Sequence, residues 1–410
     1  MNRRQLLKNT TALSLLTTGA SATMLAACGG GGDGASTQGS PLNNHFRQVN
    51  LVASSAAYKP QFLEPGFTDA WGIAIRPAGA GGHFWVSAGS KSYEYVGDVN
   101  GTPLYQDTLK DIDLPGGGAP TGLIFNTTNA LVVTNEHPLG AMTAPAKFLF
   151  AMDSGVISAW TERSNSAAPQ GKDWPAAASI VIDESANGSA FFGVATVMAT
   201  NLLLVADFGV TPKLRAYNSN YVEQAGAGLS GFFNNPFATG AAGAARPGDY
   251  VPFNVTTLML HGVETVFVSY AKSSADPANP AQFLPASEDA DDGLGRLVQY
   301  SPAGATLAIW GDGGKLNAPW GVALAPANFG PLSNHLLVGN FGSGRIAAFD
   351  VNTQRCVAYM NDVAGETLEI EGLWALLFGN GASLGDANAL YFAAGPEDEQ
   401  AGVFGALRAI

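Results

Sequence analysis

The pentapeptide Trp71-Gly72-Ile73-Ala74-Ile75 decides the fold, because five further copies of its pattern follow along the chain. Each copy starts near an aromatic residue and a small residue and continues as a short apolar run. The other copies are residues 121–125 (TGLIF), 192–196 (FGVAT), 253–257 (FNVTT), 320–324 (WGVAL) and 374–378 (WALLF). Successive copies start 50 to 71 residues apart, which suits four-stranded sheets joined by uneven loops. The repeats predict an all-β protein, a six-bladed β-propeller.

A second apolar strand follows each copy, and we expect it to pair with the first strand in the same sheet. These second strands are residues 84–87, 131–134, 203–206, 266–269, 336–339 and 390–393. Residues 148–151 and 156–160 form an additional hairpin after the second copy. We interpret this hairpin as the outer part of blade two, and a seventh blade is the alternative.

The two ends of the repeat region suggest how the propeller closes. Residues 46–52 (FRQVNLV) read as a strand that precedes the first copy, whereas the last repeat ends without a fourth strand of its own. An N-terminal strand that completes the last blade would remove an exposed sheet edge. We therefore predict that this strand closes the last blade.

The first residues resemble an export signal and should be kept apart from the fold. Arg3 and Arg4 precede a mildly apolar stretch that ends in Leu-Ala-Ala before Cys28, as in a twin-arginine signal with a lipobox. We predict an exported lipoprotein, anchored in the membrane through a lipid on Cys28 and facing the periplasm or the cell surface. A plain secreted protein with an incidental Cys28 is the alternative. The predicted organisation is an export signal peptide (1–27), a lipidated Cys with a flexible Gly/Ser tether (28–44) and one propeller domain (45–410).

The charge balance disfavours nucleic acid as a partner. The formal net charge is −13, and it becomes −16 without the signal, which carries Arg3, Arg4, Lys8 and no acid. An acidic surface repels phosphate backbones. Because Cys28 and Cys356 are the only cysteines and Cys28 is predicted to be lipidated, we expect no disulfide within the chain.

Polar residues recur at comparable places in the repeats. In a propeller, the loops that lead into the innermost strands and the loops after the second strands converge on one face. The candidates at these places are Asp69, Asn135, Glu136, Asp207, Asn317, Asn340, Glu371 and Glu397. We predict that they form a ligand-binding pocket. The alternative is that they cap strands and fill turns, because Asn and Asp side chains bond nearby backbone.

The same set would suit calcium, a hard cation that takes six to eight oxygen ligands. Asp207 and Glu371 are the predicted metal ligands, and a bound Ca²⁺ would polarise a carbonyl group as a Lewis acid. Residues 288–293 (EDADDG) are a second calcium candidate. They lack the spacing of an EF-hand loop, so a solvated acidic loop is the favoured interpretation.

Several stretches carry a resemblance to a known group of proteins: residues 69–74 (DAWGIA), 317–321 (NAPWG), 339–346 (GNFGSGRI) and 371–381 (EGLWALLFGNG). With them, the chain resembles an uncharacterised bacterial family of secreted, propeller-like proteins with NHL-like repeats. The resemblance covers nearly all of residues 45–407 and implies the fold without an activity. More distantly, the repeats are similar to NHL-type propellers, which mostly bind partners, and to gluconolactonase-type six-bladed propellers, which use calcium to hydrolyse lactones.

Three functions follow as expectations. The first is a non-catalytic β-propeller that binds an envelope protein or a small molecule through its polar face. The alternative is a calcium-dependent hydrolase of the lactonase or esterase type. A third possibility, a purely structural surface protein, would have its central channel plugged by apolar side chains.

Overall fold

The computed structural model describes residues 42–162 and 174–410, and these form six antiparallel blades of a β-propeller. With strands numbered in chain order, the innermost strands are β3 (Ile73–Ala74), β7 (Pro120–Phe125), β13 (Phe191–Val197), β16 (Tyr250–Leu260), β21 (Pro319–Leu324) and β25 (Leu373–Phe378). They contact one another in that order, and β25 returns to contact β3. Each overlaps one copy of the repeated pentapeptide, so the predicted six-bladed propeller is confirmed.

The remaining strands extend each blade outward. The second strands are β4 (Phe84–Ala88), β10 (Phe148–Met152), β14 (Leu202–Asp207), β17 (Val263–Asp276), β22 (His335–Asn340) and β26 (Ala389–Ala394). The third strands are β5 (Lys91–Tyr95), β11 (Val156–Trp160), β15 (Lys213–Tyr217), β19 (Gly295–Tyr300), β23 (Ile346–Asp350) and β27 (Val403–Ala409). Fourth strands are β6 (Asp111–Asp113), β12 (Ser179–Asp183), β20 (Thr306–Ile309) and β24 (Arg355–Tyr359). In the described part of the chain, blade three has three strands.

Blade two corrects the predicted second strand. The strand at residues 131–134 does not pair with β7; it lies in β8 (Val132–Asn135), which pairs with β9 (Met142–Pro145) as a separate hairpin. The second strand is β10 instead, paired with β7 and β11, so the additional hairpin belongs to blade two and no seventh blade is formed by it. The physical reason is burial: β8 alternates between exposed and buried residues, whereas β10 is buried throughout, as a strand between two blades must be.

The last blade closes the ring as predicted. Strand β1 (Phe46–Ala53) pairs antiparallel with β27, with a register that runs from Phe46 opposite Ala409 to Ala53 opposite Val403. A short strand, β2 (Phe62–Leu63), pairs parallel with β1 and forms the outer edge. The first and last strands of the propeller are therefore paired along seven positions, with a register shift between Asn50 and Val52, and β27 has no exposed edge.

Blade four carries the largest elaboration. Strand β17 continues beyond the blade and pairs there with β18 (Asn279–Asp289), forming a long hairpin. Phe283 and Ala286 of this hairpin pack against the hydrophobic core around the central axis. Short 3-10 helices lie at Ala56–Tyr58, Ser185–Asn187, Ala241–Gly243 and Gly330–Leu332. Within residues 42–162 and 174–410, no helix is long and apolar enough to cross a membrane.

Candidate ligand-binding cavity

The central channel is closed at one end by aromatic side chains from the first position of the repeated pentapeptide. The indole of Trp374 stacks on Trp71 with ring centroids 3.6 Å apart, and Phe341 stacks on its other side at 3.9 Å. Trp320 meets Trp374 edge-on at 6.0 Å, and Phe253 packs beside them. The three tryptophans are almost completely buried. The face on which the loops enter the innermost strands is therefore plugged, and we call it the closed face.

The second position of the pentapeptide keeps the channel narrow just beyond the plug. It is glycine in four of the six copies. A Cβ atom on Gly72 would lie 2.6 Å from the carbonyl oxygen of Thr121 in the next blade. One on Gly193 would lie 2.7 Å from the Cα atom of Asn254. Since both distances are shorter than a normal contact, neighbouring inner strands approach this closely only because the side chain is absent.

The third position of the pentapeptide forms an aliphatic ring around the channel. Each blade contributes one apolar side chain: Ile73, Leu123, Val194, Val255, Val322 and Leu376. These side chains line a cavity of about 530 Å³ whose floor includes Trp320 and Asn254. The cavity opens where the innermost strands end, on the face opposite the plug, and we call that side the open face.

The mouth of the cavity combines apolar and polar groups. Met198 and Met259 line it and are 47% and 52% exposed, so they form an apolar lip. The Thr127 and Thr196 hydroxyls lie 3.1 Å apart in one hydrogen bond. This mouth is mainly apolar, with a few polar groups near its edge, which is the usual composition of a small-molecule site.

Two charged residues at the mouth are already engaged with the protein. Arg76 Nη2 lies 2.7 Å from Glu162 Oε1 in a salt bridge. The two carboxylate oxygens of Glu264 accept backbone N–H bonds from Met198 and Ala199, at 2.7 and 2.9 Å. Arg76 is therefore neutralised by Glu162, and both carboxylate oxygens of Glu264 accept hydrogen bonds from the backbone.

The predicted polar pocket lies mostly on the closed face, where its members bond to nearby protein groups. Asp69 accepts a hydrogen bond from Trp374 Nε1 at 3.2 Å and so helps to position the plug. Asn340 Oδ1 accepts the backbone N–H of Asn317 at 2.8 Å, and Asn340 Nδ2 donates to the carbonyl of Arg345 at 3.1 Å. The structure thus brings Asn317 and Asn340 together as a link between two loops of blade five.

Asp207 is buried at the carboxyl end of β14. Its Oδ2 accepts from Arg215 Nε at 2.8 Å, and its Oδ1 accepts the backbone N–H groups of Ala190 and Gly209. Burial raises the pKa of Asp207, while Arg215 and the two amides oppose this rise. Arg215 also bonds Glu223 at 2.7 Å, so the carboxylate of Asp207 lies in a protein-internal network.

Glu371 and Glu397 are also brought together, near the rim of the closed face. Glu371 Oε1 accepts the backbone N–H of Glu397 at 3.0 Å, and Glu397 Oε1 accepts the hydroxyl of Tyr58 at 2.7 Å. Burial and the hydrogen bond to Glu397 raise the pKa of Tyr58 to about 12. These two acids therefore join the loop after β26 to the segment that follows β1.

Asn135 and Glu136 lie away from the other candidates, because their strand is part of the separate β8–β9 hairpin. Asn135 donates to the carbonyl of Ala159 at 3.0 Å and accepts the backbone N–H of Thr161 at 2.7 Å. Both partners belong to the carboxyl end of a third strand, which lies on the open face. Glu136 is exposed in the turn of the hairpin. The expected convergence of these two residues with Asp207 is wrong, since it depended on the incorrect second strand.

The residues present do not fit a calcium ion. In the described part of the chain, no three His, Cys, Asp or Glu residues lie close enough together to hold a metal. The oxygens of Asp207 are bonded to Arg215 and backbone amides, and Glu371 lies in blade six, across the ring from blade three. This holds for the acidic loop at residues 288–293 as well. We therefore derive no chemistry through a metal.

The cavity-lining residues were not among the sequence-predicted candidates, because all of those candidates have polar side chains. A signal was nevertheless present: the third position of every pentapeptide is a branched aliphatic residue, although flanking positions vary. These side chains face one shared space because the six blades close into a ring. No individual repeat shows this closure.

The fold and the cavity define the class of this protein: a six-bladed β-propeller with a channel plugged at one end and an apolar cavity at the other. No protein-family model matches the sequence. Three uncharacterised proteins of Acanthamoeba polyphaga mimivirus are similar to it. One is 26% identical over 361 residues, 88% of this chain and 80% of the relative. Another is 23% identical over 360 residues, 88% and 85% of the two chains. A third is 25% identical over 254 residues, 62% of this chain and 41% of the relative. These relatives are uncharacterised, so they indicate no activity, and they give no support for the expected bacterial family.

Proposed function

We propose that this chain is a non-catalytic binding propeller that holds a small apolar molecule in its central cavity. The observation that carries the proposal is the aliphatic ring, to which every blade contributes one side chain, above a closed aromatic floor. Cavities of about 300–1,000 Å³ are typical of small-molecule sites, and this one has about 530 Å³. A ligand that fills the cavity would remove the apolar lining from contact with water. This burial is the main source of affinity for such a ligand.

The methionine lip supports the same interpretation. Met198 and Met259 are long, unbranched and half exposed at the mouth of the cavity. Flexible thioether side chains adapt to ligands of irregular shape. Exposed apolar groups that continue into a cavity mark binding sites more often than isolated surface residues do. A ligand whose end protrudes from the cavity would be covered by this lip.

The chemistry of the side chains that line the cavity favours binding over catalysis. Among the described residues that line the cavity there is no Asp, His, Cys, Lys or Tyr. General acid–base catalysis depends on such groups, positioned within hydrogen-bond reach of the reacting atoms. The one Glu in the lining, Glu264, has both oxygens bonded to backbone amides.

The proposal includes the cellular setting expected from the sequence. The export signal and Cys28 lie outside the described residues, so their support is the sequence pattern alone. Lipidation at Cys28 would hold the propeller at a membrane surface, where apolar molecules are concentrated. Labelled palmitate should be incorporated into the expressed chain, and Cys28→Ser should abolish this. Equal labelling of both would contradict the anchor without affecting the cavity.

Binding is tested directly with the uncharged fluorophore N-phenylnaphthylamine, whose emission rises in apolar surroundings. We expect saturable binding to the full chain and a loss of at least about tenfold in affinity for Leu324→Trp, which fills the mouth. Val255→Trp fills the ring as a second obstruction. The matched control is Val363→Trp, because Val363 is 57% exposed and does not line the cavity. Absent binding, or equal binding by all variants, would overturn the proposal.

A further inference from the structure

The turns on the open face of the propeller carry almost no charge. Among the described residues, the turns that join each innermost strand to the second strand of its blade are 75–83, 126–147, 198–201, 261–262, 325–334 and 379–388. Their charged residues are Arg76, Glu136, Lys147 and Asp386. Two are basic and two are acidic, so these turns have no net charge, although the whole chain carries −13.

The closed face is acidic by comparison. Its loops that join second strands to third strands are residues 89–90, 153–155, 208–212, 272–294, 341–345 and 395–402. They contain nine acidic and two basic residues, a net charge of −7. Most of these acids lie in the long hairpin of blade four and in the loop after β26. The propeller is therefore electrically asymmetric along its axis, with a negative closed face and a neutral open face.

Exposed apolar side chains lie at the neutral end, beside the mouth of the cavity. Val263 follows the turn of blade four and is 61% exposed, and Met198 and Met259 are about half exposed. The carboxylate of Glu264 joins the turns of blades three and four, because it accepts two backbone N–H groups of the blade-three turn. The two turns are thus fixed before any partner binds, which lowers the entropy cost of docking.

Going beyond the proposed function, we propose that the open face docks on a lipid bilayer, with Met198, Met259 and Val263 inserted into its surface. Interfacial binding grows with the apolar area that enters the bilayer. The bilayer is zwitterionic, because the open-face turns have no excess of basic residues to attract anionic lipids. In this orientation the acidic closed face points into water. The cavity mouth then faces the hydrocarbon, so an apolar ligand can pass between them without crossing water.

The first test uses two forms of the full chain, each with one nitrobenzoxadiazole dye on an introduced cysteine, Val263→Cys or Val363→Cys. Both carry Cys28→Ser and Cys356→Ser. Val363 is the matched position, since it is 57% exposed and lies in the loop that enters β25 on the closed face. With phosphatidylcholine vesicles, we expect the emission of the dye at position 263 to rise about twofold or more as it leaves water, and that at 363 to stay unchanged. Each dye reports its own position, so attachment through another part of the chain gives no rise.

The second test compares the same two positions without a dye. Val263→Asp should reduce sedimentation with phosphatidylcholine vesicles at least about tenfold, because a charge would have to leave water there. Val363→Asp should change it less than about twofold, since this position stays in water. Thermal melts show that each variant is folded. Replacing half of the phosphatidylcholine by phosphatidylglycerol should weaken binding of the wild type, because the chain is acidic.

A rise in emission at neither position, or an equal rise at both, would overturn the docking. Equal sedimentation of the two Asp variants would do the same, and so would stronger binding to vesicles that contain phosphatidylglycerol. Neither readout uses N-phenylnaphthylamine. Failure of the docking is therefore distinguishable from failure of the proposed function, which the fluorophore tests separately.

Discussion

The two ends of the central channel are built from the same six strands, yet they differ in almost every physical property. At the closed face, the first position of the pentapeptide supplies an aromatic ring in five of the six copies, and Trp71, Trp320 and Trp374 fill the axis with stacked and edge-on contacts. At the open face, the third position supplies aliphatic side chains that are too short to meet across the axis, and a cavity remains. A separation of two residues along the same strand therefore distinguishes the plugged end of the channel from the end that keeps a cavity.

The polar residues follow the same division. Asp69 and Asp207 near the closed face are buried and bonded to protein groups, so their oxygens serve the fold. Near the open face, Thr257 and Arg76 retain buried polar atoms without a partner in the described part of the chain. Most of the acidic candidates from the sequence therefore lie near the closed face, where Asp69 and Asp207 accept hydrogen bonds from other parts of the fold.

The largest expected effect is on the plug. Trp374→Ala should lower the free energy of unfolding by about 3–5 kcal/mol, because a fully buried indole stacked on both faces leaves a cavity. Phe378→Ala, at the open end of the same strand, should cost roughly half as much, since Phe378 is half-buried. Urea denaturation measures both. Equal losses would contradict the expectation that the plugged end contributes more to stability than the end with the cavity.

A smaller loss is expected at the buried carboxylate of the closed face. Asp207→Asn should cost about 2–3 kcal/mol, because Arg215 then loses its buried counter-charge. Glu136→Gln is the control, and as an exposed change it should stay within about 0.5 kcal/mol. Thermal melts of all three proteins should be the same with excess Ca²⁺ and with a chelator. A calcium-dependent rise that disappears in Asp207→Asn would restore the metal site.

The buried acid Glu94 should make the stability of the fold depend on pH. It is completely buried in β5, opposite Trp85, and it has no salt bridge to a described residue. Burial raises its pKa well above the usual value, and the Ser92 hydroxyl opposes this only in part. The folded state therefore binds the proton more tightly than the unfolded state, so stability falls as the pH rises from about 4.3 toward the folded-state pKa.

Glu94→Gln should remove this slope and raise the free energy of unfolding by about 1 kcal/mol at neutral pH, where the wild type must bury a charge or hold a proton. Below the unfolded pKa the two proteins should be nearly equal. Denaturation curves across the pH range test this, with Asp207→Asn as the contrasting acid that has a cationic partner. If the wild type gains stability relative to Glu94→Gln as the pH rises through this range, the expected loss at Glu94 is wrong.

The smallest effect on stability is expected at the lip. Met259→Ser should change the free energy of unfolding by less than about 0.5 kcal/mol, because this side chain is 52% exposed. It should nevertheless weaken N-phenylnaphthylamine binding about threefold or more, since apolar contact at the mouth is lost. Unchanged affinity would mean that the lip does not cover the ligand.

Much of the fold could be predicted from the sequence, because each blade repeats one local pattern. The six inner strands, most second strands and the closure by β1 follow from short apolar runs and from counting strands. Blade two was the exception, since Leu131 just before β8 and Val133 within it are buried apolar residues, although among the described strands β8 pairs with β9 alone. The fully apolar β10 was the better candidate for an interior strand, and burial on both sides is the reason.

The candidate site could not be predicted in the same way. Polar residues before and after strands suggested a pocket, but Asp69, Asp207 and Asn340 each find a bonding partner nearby in the fold. Turn residues with oxygen atoms have the same sequence signature whether they bond to backbone or to a ligand. Only the positions of their neighbours distinguish the two.

From the sequence, six blades were predicted with seven as the alternative, and the pentapeptide shows three layers: aromatic in five of six copies, then mostly small, then aliphatic. These features are local and repeat along the chain, so their pattern is visible without knowledge of the ring. The tertiary structure alone decided which layer fills the axis and which leaves space. Side chains that are far apart in the sequence meet there, such as Trp71 and Trp374 from the first and last copies. Their contact depends on the closure of the ring, and no single repeat contains that information.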